Sequence, residues 1–243
     1  MKIIKLSATN STNSFLKELS QTSALKNYTC VVTKNQLEGR GQMGATWQSE
    51  AGKNLLFSVF VKFNDLKIDQ QSYLNFAVSL AIFNTLNNYK IPKLSIKWPN
   101  DILSANKKLC GILIENTLKT DKIDSTIIGI GLNVNQQKFS NDLSKATSLT
   151  KILKKELNLD ELLNEILLEI KHQINILISD DFQILKENYL KVLYRINTPS
   201  MFKDQNNNQF MGIVKDISKT GKLCVQLEDD SIKEFEIKEI TFI

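Results

Sequence analysis

Residues 95–116 read SIKWPNDILSANKKLCGILIEN. Within it, Lys97-Trp98-Pro99-Asn100-Asp101 joins a cation, an indole, a fixed turn, an amide and a carboxylate. Proline fixes its own φ and pushes the preceding residue, Trp98, toward an extended conformation, so the polar tips of Asn100 and Asp101 are expected on a rigid corner. Lys108 follows, and then an apolar run from Leu109 to Ile114 closed by Glu115. A lysine at the mouth of an apolar strand is well placed to meet an anion beside a hydrophobic pocket. The plainer reading of Asp101 and Lys108 is a surface hairpin ion pair worth under about 1 kcal/mol.

Upstream, Glu38 to Trp47 (EGRGQMGATW) holds Gly39, Gly41 and Gly44 at the G-x-G-x-x-G spacing. A dinucleotide fingerprint has this spacing, and Asp65 lies where its ribose-binding acid would be sought. That fingerprint needs its first glycine directly after a strand and a crossover helix after its third. Here Lys34 to Glu38 intervene after the strand expected at Tyr28–Thr33, and only Ala45 to Asn54 separate Gly44 from the strand expected at Leu55–Phe63. The P-loop pattern G-x-x-x-x-G-K-[ST] is absent from this segment. A long interstrand loop fits better. In it Gly39 and Gly41 flank Arg40, whose forked donors match two phosphate oxygens, and Trp47 offers an aromatic wall for a base. The alternative is a glycine-rich surface loop with a core tryptophan.

Outward from these segments, Ile3–Leu6 reads as a strand, and Ser11 or Thr12 caps a helix carrying Phe15, Leu16 and Leu19. Gln71–Tyr89 has helical apolar spacing; Leu94–Lys97, Ile102–Leu103, Leu109–Glu115 and Thr126–Val134 read as extended pieces. From Ser148 to about Tyr194 the pattern is helical, with Leu163, Ile166, Leu167, Ile170, Ile174 and Leu177 on one stripe. The single histidine, His172, lies there without a ligand partner, as a structural or exposed side chain. Asn197-Thr198-Pro199 breaks the helical pattern. Short strands follow at Met211–Ile217, Leu223–Leu227, Phe235–Ile237 and Thr241–Ile243, with Asn206-Asn207-Asn208 as a hairpin tip. Their close spacing suggests a small SH3-like barrel.

Of the 243 residues, 42% are hydrophobic and 23% charged, which is ordinary for a globular protein. No apolar run approaches the ~20 residues of a membrane span, and the N-terminal apolar stretch is too short for a secretory signal, so a cytoplasmic protein is expected. Cys30, Cys110 and Cys224 are scattered and odd in number, against a disulfide framework or a zinc site. The net charge of +5 is spread without a basic stripe, which disfavours nucleic acid and fits an anionic substrate.

Together these segments resemble the biotin protein ligase family, the biotin–[acetyl-CoA-carboxylase] ligases. The resemblance rests on Ser11-Thr12-Asn13, Gln36 with the loop GRGQMGATW, KWPND, KKLCGIL and Ile128-Gly129-Ile130-Gly131-Leu132-Asn133-Val134-Asn135, in the family's order. It implies an α/β (α+β) fold: a mixed sheet flanked by helices, similar to the class II aminoacyl-tRNA synthetase core, plus the small barrel. Residues 1–195 would form the catalytic domain and 196–243 the C-terminal one.

The implied reaction has two steps. Biotin and ATP give biotinyl-5′-AMP and pyrophosphate; the acyl group then passes to a lysine of a biotin carboxyl carrier domain, on acetyl-CoA carboxylase or a related carboxylase. By match to the family, Lys108 holds the biotin carboxylate and an α-phosphate oxygen, Arg40 reaches the phosphates as the loop closes, and Asp101 orients or deprotonates the acceptor amine. Ser11, Thr12, Asn13 and Gln36 would hydrogen-bond the ureido ring, with Gly39, Gly41 and Gly111 leaving room beside biotin. Gln42, Trp47, Lys97, Asn100 and Asn133 would serve the nucleotide. Magnesium is expected to accompany the phosphates, with no dedicated metal site in the chain.

In one respect the sequence departs from the family. Its loop often reads G-R-G-R-x-G-R-x-W, and here Gln42 and Ala45 replace two of the arginines. Either the adenylate is held more loosely or another cation takes over, with Lys53 the candidate. Because Ser11 begins the first motif so early, no helix-turn-helix is expected ahead of it, and hence no specific DNA binding; a homodimer stays open. The rival readings are a lipoate–protein ligase, and a biotin-binding module without turnover.

Overall fold

The computed structural model describes residues 1–243 and contains two sheets. The larger has seven strands in the order β1-β2-β3-β7-β6-β5-β4. These are β1 (Ile3–Leu6), β2 (Thr29–Thr33), β3 (Leu55–Lys67), β4 (Leu94–Lys97), β5 (Asp101–Ser104), β6 (Lys107–Lys119) and β7 (Lys122–Leu132). Only β1 and β2 pair in parallel, so the sheet is mixed as expected. Strand β3 is buried on both faces, which is why its sequence runs LLFSVFV without alternating.

The two faces carry different layers. Helix α1 (Thr12–Thr22) covers one, packing Leu16 against Val31, Phe60 and Ile127. Helices α2 (Gln71–Asn88), α4 (Leu159–Ile178) and α5 (Phe182–Lys191) stack on the other, where Phe57, Val59, Ile112, Ile128 and Ile130 point. The stripe read from Leu163 to Leu177 is the buried face of α4. Asn158 starts that helix by accepting from the amides of Asp160 and Glu161. The segment expected to be helical from Ser148 is divided into three, with the short α3 (Leu149–Leu153) capped by Ser148. His172 is exposed.

The second sheet is antiparallel, in the order β11-β10-β9-β8-β12. It comprises β8 (Pro199–Asp204), β9 (Gln209–Ile217), β10 (Leu223–Gln226), β11 (Ile232–Phe235) and β12 (Ile240–Phe242). Strand β8 starts at the proline read as a break, because the first position of a strand tolerates a missing N–H. One cluster of 45 buried residues includes Phe202, Val214 and Leu223 of this sheet as well as the helical layer. Trp98 bolts the two sheets together, its indole N–H donating to the Gly221 carbonyl at 2.9 Å. The three cysteines are free and buried. No helix is long and apolar enough to cross a membrane.

Candidate active site

Register builds the floor of the site. Residues directly opposite each other on neighbouring strands share a face of the sheet. One such row runs Lys97–Asp101–Gly111–Gly131 across β4, β5, β6 and β7. The next row on that face runs Leu113–Gly129–Ser58. Glycines at three of these positions leave bare backbone, and two side chains lie on it. The Trp47 ring rests on Gly131 and Gly111, and the Asn13 amide rests on Gly129; a Cβ at Gly129 or Gly131 would overlap them. Above this floor is a cavity of 190 Å³ lined by residues of α1, the glycine loop, the KWPND corner and Lys108.

One group of lining residues is uncharged and linked by hydrogen bonds, Ser11 excepted. Ser11 stands at the N-cap of α1 in extended conformation but makes no capping bond with its side chain. Gln36 caps the helix in its place, because its Oε1 accepts from the Thr12 amide at 2.8 Å and from the Thr12 hydroxyl at 3.0 Å. The Ser11 hydroxyl is thereby left uncommitted at a helix N-terminus. Ser58, buried in β3, lies 2.7 Å from Thr12 Oγ1 and 2.6 Å from Asn13 Oδ1. Its one proton serves only one of them at a time.

The other group is charged. Lys108 Nζ lies 2.6 Å from Asp101 Oδ1, as a close ion contact without hydrogen-bond alignment, and 5.7 Å from the Trp47 ring centre. The main chain of Lys108 is gripped on both sides, its N–H by the Lys145 carbonyl and its carbonyl by the Thr147 N–H. Arg40 sits in a small hairpin closed by the Trp47 N–H on the Gly39 carbonyl at 2.8 Å. Its guanidinium pairs with Glu115 and donates to Ser14 Oγ at 3.0 Å. Each cation of the cavity therefore already has a carboxylate partner, which an incoming anion must share or displace.

Of the residues singled out from the sequence, Ser11, Thr12, Asn13, Gln36, Arg40, Gly41, Gln42, Trp47, Asn100, Asp101, Lys108 and Gly111 line this one cavity. Asn100 does so with its amide donor already spent on the Ile112 carbonyl at 2.6 Å. Three lie outside the lining. Gly39 closes the loop hairpin from behind, where a Cβ would overlap the Trp47 carbonyl. Lys97 lies over the Phe242 ring at 5.6 Å, its pKa lowered by burial. Asn133 is buried, and its Oδ1 has no partner.

Lys53, the candidate replacement cation, does not line the cavity. Its ammonium lies 3.8 Å from Glu156. Besides Lys108, Lys238 in the turn between β11 and β12 touches the loop, donating to the Met43 carbonyl at 2.9 Å. Cys110 is fully buried and its thiol is pushed up by burial, so it offers no nucleophile. Sequence reasoning missed Ser58, Glu115 and Ser14. A serine inside the apolar run Leu55–Val61, and an acid ending the run Leu109–Ile114, were the available signals.

The sequence model described as the Biotin/lipoate A/B protein ligase family matches residues 6–133. The chain is 30% identical over 223 residues to the bifunctional ligase/repressor BirA of Bacillus spizizenii, covering 90% of this chain and 68% of that one. It is 26% identical over 222 residues to the biotin–[acetyl-CoA-carboxylase] ligase of Mycobacterium tuberculosis, covering 90% and 81%. Among solved structures, the biotin protein ligase of Aquifex aeolicus in complex with biotin and ATP superposes with a TM-score of 0.81 at 27% identity, over 100% of this chain and 98% of that one.

Proposed function

Since the chain belongs to the biotin/lipoate A/B protein ligase family, we propose that it activates biotin with ATP and transfers it to a lysine of a carboxylase's biotin carboxyl carrier domain. Residues 1–195 carry the chemistry in this reading and 196–243 brace it, in the cytoplasm. One observation carries the reading: Lys108 and Arg40 line the same cavity as the uncharged group at Ser11–Asn13 and Gln36. A ureido ring is polar and neutral, so hydroxyls and amides suit it; a carboxylate approaching a triphosphate needs cations to offset the repulsion.

In the first step a biotin carboxylate oxygen attacks the α-phosphorus. The bond to the β-phosphate oxygen breaks, and pyrophosphate leaves. Lys108 turns from Asp101 toward the carboxylate and an α-phosphate oxygen, and Arg40 takes the phosphate side. Trp47 lies over the bare strands and keeps water from the mixed anhydride. In the second step the ε-amine of the acceptor attacks the acyl carbon, the bond to the phosphate oxygen breaks, and AMP leaves. Asp101, relieved of Lys108, takes the amine proton. Gln42 and Trp47 face the nucleotide, with Asn100 shaping that wall and Asn133 offering its free Oδ1 as an acceptor. Lys97 adds positive potential from behind Asp101. Magnesium would accompany the triphosphate and offset its charge.

The test is mass spectrometry of a purified carrier domain after incubation with the protein, ATP and biotin. One added biotinyl group per domain, absent with lipoate in place of biotin and absent for Lys108→Ala, is the expected result. No added mass with the wild-type chain would end the reading.

A further inference from the structure

Glu115 is bonded to both groups of the cavity wall. One carboxylate oxygen accepts from Asn13 Nδ2 at 2.7 Å, and the other holds the Arg40 guanidinium. Its side chain is 24% exposed, against 44% for Arg40, so the acid is the more firmly seated partner. It projects from β6, paired to β7 along its length, whereas Arg40 rides on a loop.

Hydrogen-bond polarity gives Glu115 a specific consequence. An ionised carboxylate only accepts, whereas an amide group accepts on one side and donates on the other. Glu115 therefore forces Asn13 to turn Nδ2 toward it and Oδ1 toward Ser58, which donates to that oxygen. The Thr12 hydroxyl then has one proton for two acceptors, Ser58 Oγ at 2.7 Å and Gln36 Oε1 at 3.0 Å. The Asn13 amide is thus oriented from the β6 side, chiefly by Glu115 at 2.7 Å with the Leu113 carbonyl at 3.4 Å, and the same carboxylate positions Arg40.

We propose that Glu115 is a positioning residue that couples the neutral end of the cavity to Arg40, so that the two substrates are bound and aligned as a unit. This rests on the ligase reading above. Glu115 touches neither substrate; it acts through Asn13 and Arg40. Replacing it with glutamine keeps its size but leaves one acceptor where two donors compete, so Asn13 or Arg40 must let go.

The experiment is biotin-dependent exchange of labelled pyrophosphate into ATP, with steady-state constants for both substrates and melting curves for each variant. Glu115→Gln is expected to raise KM for biotin and for ATP together, each about threefold or more, and to lower kcat about tenfold, with thermal stability nearly unchanged. Combining Asn13→Ala with Arg40→Lys is expected to lose far less than the product of the two single losses. In the Glu115→Gln background the same two changes become multiplicative. A Glu115→Gln enzyme altered for one substrate only would overturn the proposal, as would independent Asn13 and Arg40 effects with Glu115 in place. A wild-type chain without exchange would overturn the ligase reading, and the proposal with it.

Discussion

The two groups that share the cavity are built on opposite principles. At the N-terminus of α1, Thr12, Asn13, Gln36 and Ser58 are neutral and near-fully bonded to one another, all but Gln36 on helix or strand. At the KWPND corner and the glycine loop, Lys108 and Arg40 are charged, part-exposed and paired with single carboxylates. A neutral ligand is selected by a donor and acceptor pattern fixed in advance, since any mismatch leaves a buried polar group unpaired. An anion is attracted by field strength, and its cations can wait in pairs that it later displaces. The first group should therefore govern which acid is bound and the second how fast it reacts.

Removing Lys108 tests that division most severely. Lys108→Ala should lower the rate of pyrophosphate exchange by about 10²–10³-fold, the scale for losing one preorganised charge stabiliser. Biotin affinity, read by calorimetry without nucleotide, should fall much less. Exchange by the wild-type enzyme should also weaken at high salt, while biotin binding alone stays nearly constant. Equal losses of rate and biotin affinity would erase the distinction between the two groups.

A sharper comparison adds a single methyl group to either side of the floor. Gly129→Ala puts a Cβ into the Asn13 amide, which is locked by Ser58 and Glu115 and cannot retreat. Overpacking of this kind costs about 1–3 kcal/mol, so biotin should bind about 5- to 150-fold more weakly. Gly131→Ala puts its Cβ into Trp47 instead, which is carried on a loop rather than on a helix or strand and whose indole N–H is unpartnered. Its effect should appear as weaker ATP binding and faster release of the adenylate, with biotin affinity nearly kept. Calorimetry with each ligand on both variants reads the contrast.

How much of this was legible in the sequence differs by feature. Lys108 and Asp101 could be paired from the sequence because a tight hairpin puts them on adjacent strands. The Lys97–Asp101–Gly111–Gly131 row was not legible, since it depends on a bulge between Ile102 and Leu103 that no spacing rule announces. The hairpin of β6 and β7 extends to Lys119 and Lys122, beyond the apolar stretches, because paired strands continue into solvent where polar residues suffice. Gln36 as the acceptor for α1 was hidden too. Ser11 or Thr12 reads as the cap, and only the fold shows that the Gln36 amide, 24 residues beyond Thr12, accepts from the first helical N–H instead. Contacts that close through three dimensions, Ser58 to Asn13 above all, leave no trace at any fixed sequence interval.

Lys97 makes the smallest test and sits between the two principles. It is a charged residue in the floor row, yet it faces Phe242 and is buried enough that its pKa is lowered, burial outweighing the attraction of Asp101. Between that lowered value and the ordinary value of 10.5, the unfolded chain holds a proton that the folded chain has released. Stability therefore rises with pH across that window: the cost of the buried charge is full below it and gone above it. Lys97→Met keeps the stem over Phe242 and removes the charge. At neutral pH the variant should melt slightly above the wild type, and the gap should close as pH climbs toward 10.5. The same change should weaken ATP binding a few-fold at low ionic strength, fading as salt screens the lost potential. A variant that melts lower at every pH would mean that the ammonium stabilises the fold through Asp101 and Phe242, and that the charged side of the cavity is as self-sufficient as the neutral one.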